Sequence, residues 1–84
     1  MFYVYVLESQ KDKNWYTGCT HDLKERFRLH NEGKVQSTKD RRPFKIIYYE
    51  ACLCEKDAFN REKYLKTTYG KRYIRTRLKD YFTG

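Results

Sequence analysis

Residues 2–7 alternate with a period of two: Phe2, Val4 and Val6 fall on one side, Tyr3, Tyr5 and Leu7 on the other. A strand sends successive side chains to opposite faces, and both sets here are bulky, so the pattern predicts a central strand covered on both faces. The polar stretch Glu8 to Asn14 predicts a turn, and Trp15-Tyr16-Thr17-Gly18 a short second strand rich in β-formers. Together they predict an antiparallel hairpin with a long connection. Helix signals begin at Thr20 or Asp22, where Asp22 and Glu25 have capping-box spacing. Leu23 and Phe27 form its buried stripe, and Gly33 is a plausible stop. Residues 34–42 are polar, basic and non-periodic, which predicts a mobile loop. Pro43 then opens a third strand, Phe44 to Ala51.

A second helix is predicted from about Lys56 to Tyr69, ended by Gly70, with Ala58, Phe59, Leu65 and Tyr69 on one face. A third amphipathic segment follows. Its inward positions are Tyr73, Ile74, Leu78 and Tyr81, and Lys71, Arg72, Arg75, Arg77 and Lys79 cover the rest. The fold class is therefore α/β, in the order β-β-α-β-α-α, with a small three-stranded, mainly antiparallel sheet flanked by helices.

Composition narrows the picture. Eighty-four residues predict one domain, residues 1–84. No apolar run is long enough for a membrane-spanning helix, and the N-terminus lacks the basic start of a signal peptide. The three Cys are an odd number, and Cys52-Leu53-Cys54 is too tight for a zinc knuckle. Small buried thiols in a reducing cytoplasm are the expectation, with no small-molecule cofactor. Nine Tyr and five Phe supply core mass that a short chain needs. The charge is different in kind. Nineteen Lys and Arg against eleven Asp and Glu leave +8, which opposes folding by self-repulsion and points to an anionic partner, nucleic acid before others. A merely solvated basic surface is the alternative.

Three sets of residues do not fit a core. On a helical wheel with Ala58 at 0°, Glu62 falls near 40°, between Leu65 near 340° and the rest of the apolar stripe. A carboxylate there needs a partner, a metal or an arginine, unless it reaches water at the helix edge. Arg26 and His30 are i, i+4 neighbours flanking the first helix's stripe. Such a pair offers a fixed charge for phosphate oxygens and a group that exchanges protons near neutrality. A half-buried His closing the helix end is the plain alternative. Tyr5 and Tyr16 lie on strands predicted to pair, so their hydroxyls converge on one side of the sheet.

These residues, taken in order, resemble the GIY-YIG nuclease superfamily. Tyr3-Val4-Tyr5 stands where the first triplet is expected and Tyr16-Thr17-Gly18 where the second is, with ten residues between Tyr5 and Tyr16. The helix with Arg26 and His30 follows, and Asn60-Arg61-Glu62-Lys63-Tyr64-Leu65-Lys66 resembles the segment with the family's metal-binding Glu. The likeness covers nearly the whole chain and is closest to the small stand-alone members, a group of predicted endonucleases. It implies a metal-dependent endonuclease cutting phosphodiesters in DNA, in repair or recombination, with RNA not distinguished. Glu62 would bind one Mg²⁺ or Mn²⁺. Tyr5 and Tyr16 would activate or position the attacking water, Arg26 would stabilise phosphate charge, and His30 would assist proton transfer or hold a tyrosine. Gly18 would let the backbone pass closely between hairpin and helix. With no appended specificity domain expected, nucleic-acid contact is assigned to Lys34, Lys39, Arg41 and Arg42 in the loop and to Arg72 and Arg75 in the last helix. Many members carry an Asn late in the domain, and here none follows Asn60. That keeps a non-catalytic nucleic-acid-binding module as the alternative.

Overall fold

The alternation in residues 2–7 becomes the middle of the sheet. A computed structural model describes residues 1–84. It has strands β1 (Phe2–Ser9), β2 (Trp15–Thr20) and β3 (Phe44–Cys52), and helices α1 (Leu23–Asn31), α2 (Glu55–Leu65), α3 (Thr68–Arg77) and α4 (Lys79–Thr83). The sheet order is β2-β1-β3, with both pairings antiparallel. The fold class is therefore the one the sequence predicts. A bulge between Val6 and Leu7 opposite β3 shifts the register, so Val6 faces Tyr48 and Leu7 faces Ile46. An extra residue on one strand restores the in–out phase of the next segment after such a kink.

Both faces of β1 are covered, as its two bulky sets require. Tyr5 and Leu7 pack with Phe44, Tyr16, Ile46 and the α1 stripe of Leu23 and Phe27. Val4 and Val6 pack on the opposite face with Ala58 and Leu65 of α2 and Ile74 of α3. Asp22 caps α1 by accepting from the Glu25 amide at 3.1 Å. The reciprocal half of the capping box is absent: Glu25 instead pairs with Arg28, and the Asp22 amide donates to Thr20 Oγ1. Gly33 follows α1 with φ +77°, the left-handed conformation glycine tolerates best.

The C-terminal half departs from the expected pattern. The predicted helix over 56–69 ends early, at Leu65, and α3 starts at Thr68. Thr67 is the reason: its Oγ1 accepts from the Gly70 amide at 3.1 Å, making it an N-cap where helix interior was expected. Gly70 thus stops nothing. It sits in the first turn of α3, where a Cβ would strike the Tyr64 carbonyl and the Leu65 backbone, so only glycine lets α3 turn this tightly off α2. The break also rotates Tyr69 outward, to 68% exposed, and Phe59 is exposed as well. Tyr73 and Tyr81 are partly exposed rather than inward; Ile74 carries the burial of α3. The third segment breaks again at Leu78, separating α3 from α4.

The stretch 34–42 is not the mobile loop its polarity predicts. It contains a 3-10 turn, Lys39–Arg41, and two inward side chains, Val35 and Thr38. Ser9 fastens it to the sheet, donating from Oγ to the Arg41 carbonyl at 2.6 Å. The cysteines are not the buried hydrophobes expected: Cys19 and Cys52 are half-buried and Cys54 is exposed. No helix is long and apolar enough to cross a membrane.

Candidate active site at the edge of strand β2

Period two and antiparallel register place Tyr5 and Tyr16 together. Tyr5 lies opposite Gly18 and Leu7 opposite Tyr16, so the two tyrosines are diagonal neighbours on the α1 side of the sheet, with ring centroids 6.4 Å apart. The Tyr5 ring passes across Gly18: a Cβ there would lie 2.6 Å from Tyr5 Cζ. This corrects the expected role of Gly18. It makes room for a phenol, rather than for the passage from hairpin to helix.

His30 closes the site from α1. It is fully buried, its Nε2 is 2.9 Å from the Tyr5 hydroxyl, and its ring packs edge-on against Tyr5, Tyr16 and Phe44. Its other nitrogen, Nδ1, meets Thr38 Oγ1 at 2.8 Å. Burial, helped by the nearby Arg26 charge, pushes His30 down to about 4. Burial pushes the Tyr5 phenol up to about 12, against the pull of Arg26. Their hydrogen bond therefore joins two neutral groups at ordinary pH.

Arg26 stands one turn before His30 on α1, half-buried and without a carboxylate partner. Contact with the Tyr5 hydroxyl first, then charge interaction with Tyr5 and Tyr16, raises its pKa further. Glu62 approaches from α2. Its side chain is 20% exposed and pairs with Lys66 Nζ at 2.9 Å, neither the arginine nor the metal expected from the wheel. Its charge adds to the upward push on Tyr5 and, after burial, on the Cys19 thiol. Thus Tyr5, Tyr16, Arg26 and His30 are brought into one cluster, with Glu62 in electrostatic reach of it.

The other arginine of α2 is accounted for. Arg61 grips Glu50 of β3 at 2.8–3.1 Å, and Tyr48 donates to the same carboxylate at 2.8 Å. Burial alone would raise Glu50, but these donors hold its carboxyl below the usual range. This is a structural clamp between sheet and helix.

The cations divide into two groups. A cleft of about 220 Å³ beside the cluster is lined by Trp15, Tyr16, Thr17, Lys66 and Lys71. It adjoins depressions lined by Lys13, Asn14, Trp15, Lys71 and Arg75, and by Thr68, Lys71, Arg72 and Arg75. No acidic residue lines any of the three. Arg75 lies over the Trp15 ring at 4.9 Å and Arg72 over Tyr69 at 5.6 Å. The 34–42 cations are mostly engaged elsewhere. Arg41 pairs with Asp12 at 3.1 Å and donates to the Trp15 carbonyl; Arg42 donates to the Lys39 carbonyl; Lys34 lies 3.4 Å from Glu32. Lys39 is exposed. The largest depression, about 570 Å³ along α1, is lined by Asp22, Glu25 and Glu32 among others and by none of the clustered residues.

Sequence reasoning missed Thr38, Lys13 and Lys66. Thr38 carried no signal, being one polar residue in a polar stretch. Lys66 had one: it lies four residues after Glu62, on the same helix face.

Comparison with known proteins agrees with this geometry. Residues 1–75 match the model of the GIY-YIG catalytic domain. The chain is 40% identical over 65 residues to the UPF0213 protein YazA of Bacillus subtilis, a match covering 76% of this chain and 65% of YazA. It is likewise 40% identical over 67 residues to the UPF0213 protein CPE1444 of Clostridium perfringens, covering 79% and 71% of the two chains. The chain thus spans about two thirds of the length of these relatives. The solution NMR structure of the UPF0213 protein BH0048 from Bacillus halodurans superposes with a TM-score of 0.56 at 32% identity, covering 90% of this chain and 84% of that one. With the paired tyrosines, the glycine that admits Tyr5 and a family match over most of its length, the chain belongs to the GIY-YIG family.

Proposed function

We propose that this chain is a divalent-metal-dependent endonuclease that hydrolyses phosphodiester bonds in DNA. The observation that carries the reading is one meeting of groups at the head of a cationic cleft: two phenols, an arginine without a carboxylate partner and a half-buried carboxylate. Arg26 has five donors and a permanent charge, and it takes the non-bridging oxygens of the scissile phosphate. Tyr16 lines the open cleft, so it is the phenol that positions the attacking water and receives its proton. Tyr5, enclosed and neutral, fixes the geometry behind it. The nucleic-acid backbone follows Lys66, Lys71, Arg72 and Arg75 away from the cluster.

No group of three His, Cys, Asp or Glu is assembled. One carboxylate suits a hard cation that keeps most of its waters, and Glu62 would hold it once Lys66 lets go. When bound, the ion supplies Lewis-acid charge at the phosphate. The test is nicking of supercoiled plasmid with Mg²⁺ or Mn²⁺ by the native protein beside Glu62→Gln. We expect nicking by the native protein and its loss in the variant; equal nicking by both overturns the reading. The absence of an Asn after Asn60 favours the second reading, a binding module without cleavage. It predicts salt-sensitive DNA binding and no metal-dependent product.

A further inference from the structure

A buried hydroxyl is satisfied only if its proton has somewhere to go, and this constrains the Tyr5–His30 pair more than the distances alone. Tyr5 is 1% exposed, and the groups at its oxygen are His30 Nε2 and the Arg26 guanidinium. Arginine has donors only. The Tyr5 proton must therefore be given to Nε2, which leaves the imidazole proton on Nδ1. There it meets Thr38 Oγ1 at 2.8 Å, and the Thr38 hydroxyl in turn points its proton at the Val35 carbonyl, 3.4 Å away. The opposite arrangement has Nε2–H donating to Tyr5. It would load the Tyr5 oxygen with two incoming donors and leave its own proton without an acceptor.

We propose that Thr38 is the positioning residue that fixes His30 as the Nδ1–H tautomer and so directs the Tyr5 hydroxyl proton inward. The free lone pair of Tyr5 then faces Arg26 and the opening of the site. The effect is carried by a fully buried threonine from the stretch after α1, eight residues beyond the histidine it orients. Its consequence for cleavage rests on the nuclease reading; the tautomer does not.

The chain has two histidines, His21 exposed on the surface and His30 buried, so ¹⁵N-imidazole NMR resolves them. At neutral pH we expect His30 of the native protein as the Nδ1–H form. Thr38→Ser should keep it. Thr38→Val, of like shape but without an acceptor, should convert it to a mixture or to Nε2–H. A native protein in the Nε2–H form overturns the proposal without any variant, as does an unchanged Nδ1–H form in folded Thr38→Val. In the nicking assay, Thr38→Val should lower kcat about tenfold or more with KM little changed, and Thr38→Ser should restore it. Equal loss in both variants with the native tautomer retained would make Thr38 merely structural and refute the positioning role. An inactive native protein with the expected tautomer pattern removes the nuclease reading and leaves this one standing.

Discussion

Acidification gives the sharpest test of the buried histidine. His30 is depressed to about 4 in the folded protein from 6.5, chiefly by burial. Between those values the unfolded chain binds the imidazole proton and the folded chain does not. Stability is therefore fully present above about pH 6.5 and falls as pH drops through the window, levelling off below about 4. The gap corresponds to about 3 kcal/mol, of which about 2.5 is lost by pH 4.5. A chain of this length has on the order of 4–13 kcal/mol in total, so the loss is a large fraction. The assay is urea unfolding at about pH 7, 5.5 and 4.5 for the native protein and His30→Gln. Carboxylates held low by arginines, such as Glu50 with Arg61, weaken both proteins alike in acid and cancel in the difference. We expect the native protein's advantage over the variant to shrink by about 2.5 kcal/mol between pH 7 and 4.5. A difference that stays constant across that range would mean His30 is charged or solvated in the folded state, and the account of the Tyr5 pair would fall with it.

Two further outcomes follow from contacts around the cluster. Gly18→Ala sets a Cβ against the enclosed Tyr5 ring, which cannot retreat while held by His30; thermal unfolding should show a loss of about 1–3 kcal/mol and NMR a displaced His30. Unchanged stability with an unchanged His30 signal would contradict the close approach. Lys71→Ala should weaken metal-free DNA binding and lower the slope of log affinity against log salt by about 1, whereas Arg41→Ala should leave the slope alone and cost stability through its lost bonds to Asp12 and the Trp15 carbonyl. Titrations at several salt concentrations decide it; a slope that moves with Arg41 and not with Lys71 reverses the proposed path of the backbone.

What the sequence determined is local. Period two in β1 placed Tyr5 with Leu7 and opposite Val4 and Val6, and the hairpin that follows was enough to put Tyr16 on the Tyr5 face. Asp22 marked the start of α1, and the i, i+4 spacing put Arg26 and His30 side by side. The wheel found Glu62 at the margin of the α2 stripe. Each of these depends only on backbone geometry repeating over a few residues.

The tertiary structure decided what depends on partners far along the chain. Thr67 reads as helix interior on the wheel; only the tight packing of Gly70 on the end of α2 makes its role as a cap visible. Thr38 and Val35 look like loop because their stretch is polar, yet a buried imidazole needs an acceptor and Thr38 supplies it. Nor does charge by itself say which cations are free. Arg41 is engaged by Asp12, twenty-nine residues earlier, while Lys71 opens onto the cleft beside Tyr16. Composition counts charges, but their availability is set by hydrogen bonds and ion pairs that form only once the chain has closed on itself.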